Sequence, residues 1–365
     1  MNPAPLVSVV IASFNHAAYV QDCIGSVLGQ TLQDFEIVIT DDGSADDTVA
    51  RIRAVNDPRI RLEVLPQNAG ACIAFNQAIR RARGRYVAIL NSDDCFLPHK
   101  LQRQVDFLQA RPQIGAVFGY PQLVNETGER FADAGHKDFA VFQAENRDRH
   151  RWLRHFFDQG NCLCHPSVLI RRECYEQVGL LDARLAQVPD LDFWIRLTRR
   201  FEIHVLPETL LSFRIRDRQQ NASAARPEVI VRDLWERQRV LRHYLGWDAD
   251  TFAAVFPEYR DQLGEQTPDQ LLARHALGLG TPFHIGFGLD TWFASLPPDG
   301  CGPQYLDFIR HTGGLDLHHV LLVGDLRRQL DALMAAQSAE SARAPSTDAV
   351  STSRRGWWSR LLRGR

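Results

Sequence analysis

The sequence lacks an excess of charge of either sign. Its 365 residues include 42 lysines and arginines against 44 aspartates and glutamates, which gives a formal net charge of −2. This balance provides no positive field for a polyanion, so nucleic acid is not an expected partner. With 45% hydrophobic and 24% charged residues, the composition is that of a globular chain, and disorder throughout is excluded.

Disulfide bonds are not indicated by the cysteines. There are seven of them, an odd number, and they are scattered through apolar segments. This pattern is typical of reduced, buried thiols in a reducing compartment rather than of a disulfide framework.

Targeting signals and long apolar runs are also missing. The N-terminus has no basic region before its first apolar run, and that run is too short for a signal peptide. No stretch approaches the roughly 18 uninterrupted apolar residues of a transmembrane helix. We therefore expect a cytoplasmic protein.

The N-terminal part of the chain alternates between strand-like and helix-like segments. Residues 6–12, for example, are β-branched and apolar on both faces, as expected of a central parallel strand. The alternation predicts an α/β sheet with helices on both faces. The predicted strands cover 6–12, 35–40, 59–65 and 85–90, and the predicted helices cover 19–28, 45–55, 71–82 and about 100–110.

The rest of the chain is more varied. A strand is predicted at 167–172, with two more short strands within 203–216, and helical heptads begin beyond Pro227. The predicted organisation is an α/β domain over residues 1–225, a mainly helical extension over 226–335, a flexible Ala/Ser-rich linker over 336–353 and a basic amphipathic tail over 354–365.

Three polar clusters follow the first, second and fourth predicted strands. They read SFN, TDDGS and NSDD. Ligands of open α/β sheets bind beyond the carboxyl ends of the strands, so these clusters predict one shared binding site.

The cluster after the second strand has two interpretations. A carboxylate of Asp41 or Asp42 can accept from the ring N–H of a pyrimidine base or from a ribose hydroxyl, while Gly43 allows a tight turn. The alternative is a turn with a helix N-cap, because Ser44 and Asp46 are good caps.

The cluster after the fourth strand also has two interpretations. Asn91, Asp93 and Asp94 could form a Mg²⁺ or Mn²⁺ site completed by diphosphate oxygens and water. A metal in that position stabilises a departing nucleoside diphosphate. The alternative is a loop with an Asx-turn, which Asn and Asp favour.

Five segments, in this order and spacing, resemble the successive motifs of inverting family 2 glycosyltransferases. The resemblance covers roughly residues 6–216, well over half of the chain, and its strength lies in the combination of motifs. The segments are VVIASFNHAAYVQDCIGSVLGQT, VITDDGS, QNAGACIAFNQAI, GRYVAILNSDD and GLLDARLAQVPDLDFWIRL.

The resemblance implies a GT-A fold, which is a Rossmann-like mixed sheet flanked by helices, here followed by a mainly helical C-terminal extension. It also implies a nucleotide-sugar donor, with a UDP-sugar favoured, a glycan or lipid-linked acceptor, and a divalent metal, Mn²⁺ or Mg²⁺.

The resemblance also implies residue roles. Asp190 would be the general base, and Asp93 or Asp94 would hold the metal. The donor site would include Ala12 and Phe14 against the nucleobase, Asp42 bonded to the base, Asp41 supporting the turn, and Asn15, Asn68, Gly70, Asn91 and Asp93.

Two positions depart from the family pattern. Asn91 stands where family members often carry Asp, so this position brings no charge. Pro189 stands where Glu commonly precedes the base, so one supporting acceptor is missing. The Gln-X-X-Arg-Trp signature of processive members is also absent, which favours the addition of one or a few sugars.

Three further residues are candidates for ligand contacts. Arg214 and Arg216 could bind the diphosphate bidentately, or they could lie on a solvated strand edge. His165 could face the donor sugar or the acceptor, although a core histidine is the favoured interpretation.

The tail places Trp357, Trp358, Leu361 and Leu362 on one helical side, with arginines around them. This pattern favours peripheral contact with an anionic membrane surface, at the inner face of the plasma membrane, over a frayed terminus or a packing element on a partner. A lipid-linked acceptor would fit that placement.

The sequence leaves two rival functions open. A nucleotidyltransferase usually has a Gly-rich, basic loop after the first strand, and ASFNHAAYV has neither Gly nor Lys. A catalytically silent nucleotide-sugar-binding or scaffold domain is the non-enzyme alternative, suggested by Asn91 and Pro189.

Overall fold

The computed structural model describes residues 4–130, 141–216 and 227–298. These residues lie within one compact unit, Met1–His319. The predicted linker at 336–353, the predicted tail at 354–365 and the end of the predicted extension lie outside the described residues.

Eight strands and eleven α-helices form the described part of the chain. The strands are β1 (Val7–Ser13), β2 (Phe35–Asp41), β3 (Ile60–Val64), β4 (Tyr86–Asn91), β5 (Cys95–Phe96), β6 (Ile114–Val124), β7 (Leu169–Arg171) and β8 (Glu202–Arg214). The helices are α1 (Val20–Leu28), α2 (Thr48–Ala54), α3 (Ala71–Arg81), α4 (Lys100–Gln109), α5 (Arg149–Asp158), α6 (Arg172–Val178), α7 (Pro189–Thr198), α8 (Pro227–Val240), α9 (Ala249–Val255), α10 (Pro268–Leu279) and α11 (Pro282–Ala294).

All eight strands belong to one mixed sheet in the order β3-β2-β1-β4-β7-β6-β8-β5. The first four strands of that order are parallel, and β7 is antiparallel to both of its neighbours. The predicted α/β architecture is therefore confirmed. In the register of the central strands, Ser13 is paired with Asp41 and Ala12 with Asn91, so three strand ends lie side by side.

Both faces of the sheet are covered, which explains why its central strands are apolar throughout. Val9 and Ile11 of β1 point to one face and pack in a cluster with α1 and α4. Val10, between them, points to the other face and packs in a cluster with α3, α5 and α7.

The helices that follow the sheet share this second cluster. The ring of Phe157 on α5 is surrounded by aromatic rings that include Tyr244, Phe256 and Phe287. The Tyr244 hydroxyl donates to the Leu153 carbonyl at 2.7 Å. A mainly helical C-terminal region is therefore present, as predicted, and its core is continuous with that of the sheet. Among the described residues, no helix combines the length and apolarity needed to cross a bilayer.

Two details of the sheet differ from the prediction. Residues 203–216 were expected to form two short strands, but β8 is one strand. Its pairing with β6 advances from Phe118–Val205 to Tyr120–Thr209, so extra residues of β8 bulge there around Pro207, which cannot donate a ladder hydrogen bond. The two-residue β5 was not predicted, because it is too short to show a period.

Candidate active site

Asp41 at the end of β2 fixes the turn that follows it. Its buried carboxylate accepts from the Ser13 hydroxyl at 2.8 Å and from both the amide and the hydroxyl of Ser44, at 2.8 and 2.7 Å. These bonds tie the end of β2 to the end of β1.

Asp42 holds the loop that leads into α3. Its buried carboxylate accepts from the amides of Ala69 at 2.7 Å and Gly70 at 2.9 Å, and Gly70 has a positive φ of 101°. Asn68 beside them is exposed. The two predicted donor-site segments, at Asp42 and at Asn68–Gly70, are thus joined directly.

Gly43 is required by both its conformation and its surroundings. Its φ is 71°, and a Cβ at this position would lie 2.7 Å from the carbonyl carbon of Gln67.

We expect Gly43→Ala to lower the free energy of unfolding by about 2 kcal/mol or more, measured by urea denaturation. The control is Gly25→Ala in α1, where a Cβ meets nothing within 4 Å. That variant should be neutral or stabilising by about 0.5–1 kcal/mol. Equal losses in both variants would contradict the prediction.

Asn15 joins the loop after β1 to the loop after β2 by two hydrogen bonds. It adopts a φ of 52°, which Asn tolerates better than most residues. Its amide donates to Ser44 Oγ at 2.9 Å, and its side-chain oxygen accepts from the Ala45 amide at 2.9 Å. Phe14 is left 40% exposed at this edge, and Ala12 is half-buried, so both offer apolar surface to a ligand.

The two carboxylates at the end of β4 have different surroundings. Asp94 is buried and accepts from Asn91 Nδ2 at 2.9 Å and from the Arg214 amide at 2.8 Å. Burial, and then the neighbouring Asp93, raise the pKa of Asp94 well above its usual range. Asp93 is partly exposed, and its Oδ2 lies 3.9 Å from His16 Nε2. Asp94 therefore stabilises the loop after β4 by its hydrogen bonds, whereas the Asp93 carboxylate lies toward His16 in the loop after β1.

Arg214 and Arg216 are placed differently. The Arg214 guanidinium is buried and donates to the carbonyls of Asp93, Asn125 and Glu126 at 2.8, 3.0 and 2.6 Å. Arg216 is half-buried, and its Nη1 lies 2.9 Å from His16 Nε2. Of the two predicted diphosphate contacts, Arg216 is the one that contacts His16, whose Nε2 also lies 3.9 Å from the Asp93 carboxylate.

His16 connects these groups. Its Nδ1 lies 2.7 Å from Ser92 Oγ, and its Nε2 faces Arg216. Burial lowers the pKa of His16, Asp93 raises it and Arg216 lowers it further, with a net decrease. Because arginine can only donate, Nε2 of the neutral ring accepts from Arg216, and the Nδ1 proton is directed to Ser92.

Asp190 lies in the first turn of α7. Asn161 Nδ2 donates to its Oδ2 at 2.7 Å, and the side chain is half-buried. Burial raises the pKa of Asp190 to about 6, although the Leu191 amide, Arg237 and Asn161 each lower it. The carboxyl is thus ionised at pH 7 yet basic enough to accept a proton.

The carboxylate of Asp190 acts on two buried thiols. Asp94 and Asp190 both raise the pKa of Cys164, and Asp190 also raises that of Cys72 at the start of α3, in each case after the larger effect of burial. His165 packs edge-on against Phe75 and Trp194, and burial lowers its pKa to about 4. His165 is therefore a neutral, aromatic-packed histidine at neutral pH.

Comparisons with known proteins assign the chain to a family. A sequence model described as Glycosyl transferase family 2 matches residues 8–178. A putative teichuronic acid biosynthesis glycosyltransferase, TuaG of Bacillus subtilis (strain 168), is 32% identical over 217 residues, which are 59% of this chain and 81% of TuaG. The chain belongs to glycosyltransferase family 2. It is accordingly a transferase that acts on nucleotide sugars.

Solved structures show that this family 2 glycosyltransferase has the predicted GT-A fold. S. aureus TarS 1–349 in complex with UDP-GlcNAc aligns with a TM-score of 0.55 and 19% identity over 90% of this chain and 87% of TarS 1–349. Mannosyltransferase PcManGT from Pyrobaculum calidifontis, in complex with GDP-Man and Mn²⁺, aligns with a TM-score of 0.50 and 16% identity over 94% and 89% of the two chains. At these identities the likeness shows the fold alone.

The residues of this family 2 enzyme fit a particular kind of divalent cation site. Among the described residues, no three His, Cys, Asp or Glu side chains are grouped to hold a metal. A metal held entirely by protein side chains is therefore not supported there. Asp93 does fit a cation of the Mg²⁺ type, which is commonly held by one or two carboxylates together with substrate phosphates and water.

Sequence reasoning missed two residues of the site, His16 and Tyr19. The Tyr19 ring lies beneath both arginines, with its centroid 4.8 Å from Arg214 Cζ and 5.5 Å from Arg216 Cζ. Both residues follow SFN in the motif ASFNHAAYV, so their position next to a predicted ligand loop was the available signal.

The bond between His16 and Arg216 leads to a prediction. His16→Phe keeps an aromatic ring beside Tyr19 but removes both polar contacts. We expect the KM for the nucleotide sugar to rise about tenfold, which corresponds to a loss of about 1.4 kcal/mol of binding free energy. The reason is that the Arg216 guanidinium no longer donates to His16 Nε2 and is less well oriented toward the donor. Initial rates against donor concentration measure this effect. The control is His99→Phe at an exposed position before α4, which should leave KM unchanged. An unchanged KM in both variants would contradict the prediction.

Proposed function

We propose that the protein transfers a sugar with inversion from a UDP-sugar to a hydroxyl of a glycan or lipid-linked acceptor, adding one or a few sugars. The observation that carries this proposal is the side-by-side placement of the β1, β2 and β4 ends, with Asp42, His16 and Asp93 on them. UDP-GlcNAc in the complex with TarS supports a UDP donor, and the name of TuaG supports an acceptor in polysaccharide biosynthesis.

The donor would lie across the three strand ends. Ala12 and Phe14 offer apolar surface for the nucleobase next to Asp42, whose carboxylate also anchors the Asn68–Gly70 loop. The diphosphate would lie near Asp93 and Arg216. Asp93 would hold a Mn²⁺ or Mg²⁺ ion, whose positive charge would stabilise the departing diphosphate. Arg216, oriented by His16, adds a fixed positive charge in the same place.

The acceptor step would use Asp190. Its ionised carboxylate accepts the proton of the acceptor hydroxyl while that oxygen forms a bond to the anomeric carbon. The bond from that carbon to the diphosphate oxygen breaks, and the nucleoside diphosphate leaves from the opposite face. Asn161 orients the carboxylate by its bond of 2.7 Å to Oδ2. General-base assistance of this kind is worth about 10²- to 10⁴-fold in rate.

A donor screen tests the proposal. The purified chain would be incubated with UDP-, GDP- and dTDP-sugars and Mn²⁺, and release of the nucleoside diphosphate would be measured with and without a bacterial glycan fraction as acceptor. We expect UDP release from one UDP-sugar, increased by the acceptor. Release of GDP or dTDP alone would overturn the UDP assignment, and the absence of any release would overturn the proposed activity.

A further inference from the structure

Glu236 is a fully buried carboxylate on α8 in the helical extension, far in sequence from the catalytic motifs. Its two oxygens accept from the backbone amides of three successive residues. Ala186 donates to both oxygens at 2.8 and 3.0 Å, Gln187 donates at 2.7 Å and Val188 donates at 3.1 Å. Arg232, one turn earlier, neutralises the carboxylate with an Nε–Oε1 distance of 2.6 Å.

These three amides lie directly before α7, the helix that begins at Pro189 and carries Asp190. The N-cap residue Val188 has no side chain that could cap the helix, and Pro189 has no N–H to donate. A negative charge at this end of a helix is favourable, and unpaired amides there would be costly. Glu236 therefore fixes from another element the three residues that lead into α7, including its N-cap residue Val188.

A second contact joins the extension to the same turn of α7. His243, in the 3₁₀ turn after α8, lies with Nε2 2.6 Å from Asp192 Oδ1, and Arg196 binds the other oxygen of Asp192 at 2.7 Å. Asp190 lies between the Glu236 contacts and the His243 contact. The extension therefore holds the first turn of α7 on both sides of the predicted base.

We propose that Glu236 is a positioning residue for Asp190, so that the helical extension completes the catalytic site of the α/β domain. This inference rests on the proposed function, because it takes Asp190 as the general base. It assigns to α8 a role in the reaction, since a carboxylate displaced by about 1 Å from its reacting geometry can lose about 10²-fold in rate.

The test is a set of variants of the full chain, assayed for UDP release from the UDP-sugar that gives the fastest turnover. Glu236→Gln replaces one acceptor oxygen with an NH₂ group that faces backbone amides. We expect kcat to fall about tenfold or more and the donor KM to change by less than about twofold, because within the described residues the hydrogen bonds of Glu236 go to residues 186–188 and Arg232 and not to the donor loops. Glu236→Asp, which keeps the charge, should recover part of kcat.

The control is Glu258→Gln. Glu258 also lies in the extension and pairs with an arginine, Arg154, at 2.6 Å, but it is exposed, and within the described residues the hydrogen bonds of this pair do not reach α7. We expect its kcat and KM to remain at the parental values. Hydrogen exchange supplies a readout besides activity: the amides of residues 186–188 should exchange faster in Glu236→Gln and at the parental rate in Glu258→Gln.

A double variant separates positioning from a general loss of stability. If Glu236 acts through Asp190, Glu236→Gln should reduce kcat much less in the Asp190→Asn background than in the parent. An equal reduction in both backgrounds, or an equal loss in Glu258→Gln, would overturn the inference. Full activity of Asp190→Asn would instead refute the proposed function. Loss of activity in Asp190→Asn with no effect of Glu236→Gln would refute only the role of Glu236.

Discussion

Asp190→Asn is expected to reduce sugar transfer by about 10²- to 10⁴-fold, with donor binding changed by less than about twofold. The amide keeps the shape of the side chain and can still accept from Asn161, but it cannot take the proton of the acceptor hydroxyl. The loss should therefore appear in kcat. Turnover would be measured as UDP release and donor binding by calorimetry with UDP.

The expected pH dependence follows from the pKa of about 6 at Asp190. A general base acts in its ionised form, so kcat/KM of the parent should fall as the pH drops through about 6 and should level off above it. The contribution of Asp190 to the free energy of unfolding changes with pH in the opposite direction. A carboxyl whose pKa is raised on folding favours the folded state only at low pH, and this contribution is lost as the pH rises from the unfolded pKa toward about 6. The loss of the charge in Asp190→Asn should therefore not by itself destabilise the protein at pH 7.

The control for this experiment is Asp182→Asn. Asp182 lies in the same segment before α7, and it pairs with exposed Arg184 at 2.6 Å. Transfer by this variant should match that of the parent. Transfer by Asp190→Asn within tenfold of the parent, under conditions where both variants are folded, would exclude Asp190 as the base.

The sequence was sufficient to predict the strands whose ends carry the site. Period and polarity identified β1, β2 and β4 because each is a buried, apolar segment that ends abruptly in polar residues. Parallel strands align such ends at one edge, and the register of Ser13 with Asp41 and of Ala12 with Asn91 has this arrangement.

Contacts between distant segments could not be predicted in this way. Asp93 and Asp94 are adjacent and chemically identical in sequence, yet the Arg214 amide, 120 residues away, binds the second and leaves the first at the strand ends. The bond between His16 and Arg216 spans 200 residues. The contact of Glu236 with residues 186–188 is another case, because no local sequence pattern pairs α8 with the segment before α7. Such pairings depend on tertiary packing, which no local pattern encodes.

The difference between the two carboxylates leads to the second large effect. We expect Asp93→Asn to reduce Mn²⁺-dependent transfer by about 10²- to 10³-fold, because the proposed cation would lose the partly exposed carboxylate that holds it beside the leaving diphosphate. Arg216 would remain and would account for the residual rate. The half-saturating Mn²⁺ concentration should rise at the same time, which a titration of UDP release against Mn²⁺ measures.

Asp94→Asn is the matched control for Asp93→Asn, one residue further along the same loop. Asp94 accepts from Asn91 and from the Arg214 amide, so its replacement should cost stability, about 1–3 kcal/mol for a buried group left unsatisfied. Its half-saturating Mn²⁺ concentration should stay close to the parental value once the folded fraction is taken into account. The opposite pattern, with the Mn²⁺ response lost in Asp94→Asn and kept in Asp93→Asn, would place the cation on the buried carboxylate. In that case the bonds from Asn91 and Arg214 would have to break on donor binding, and the loop would have to open by a rearrangement that Asp93 does not require.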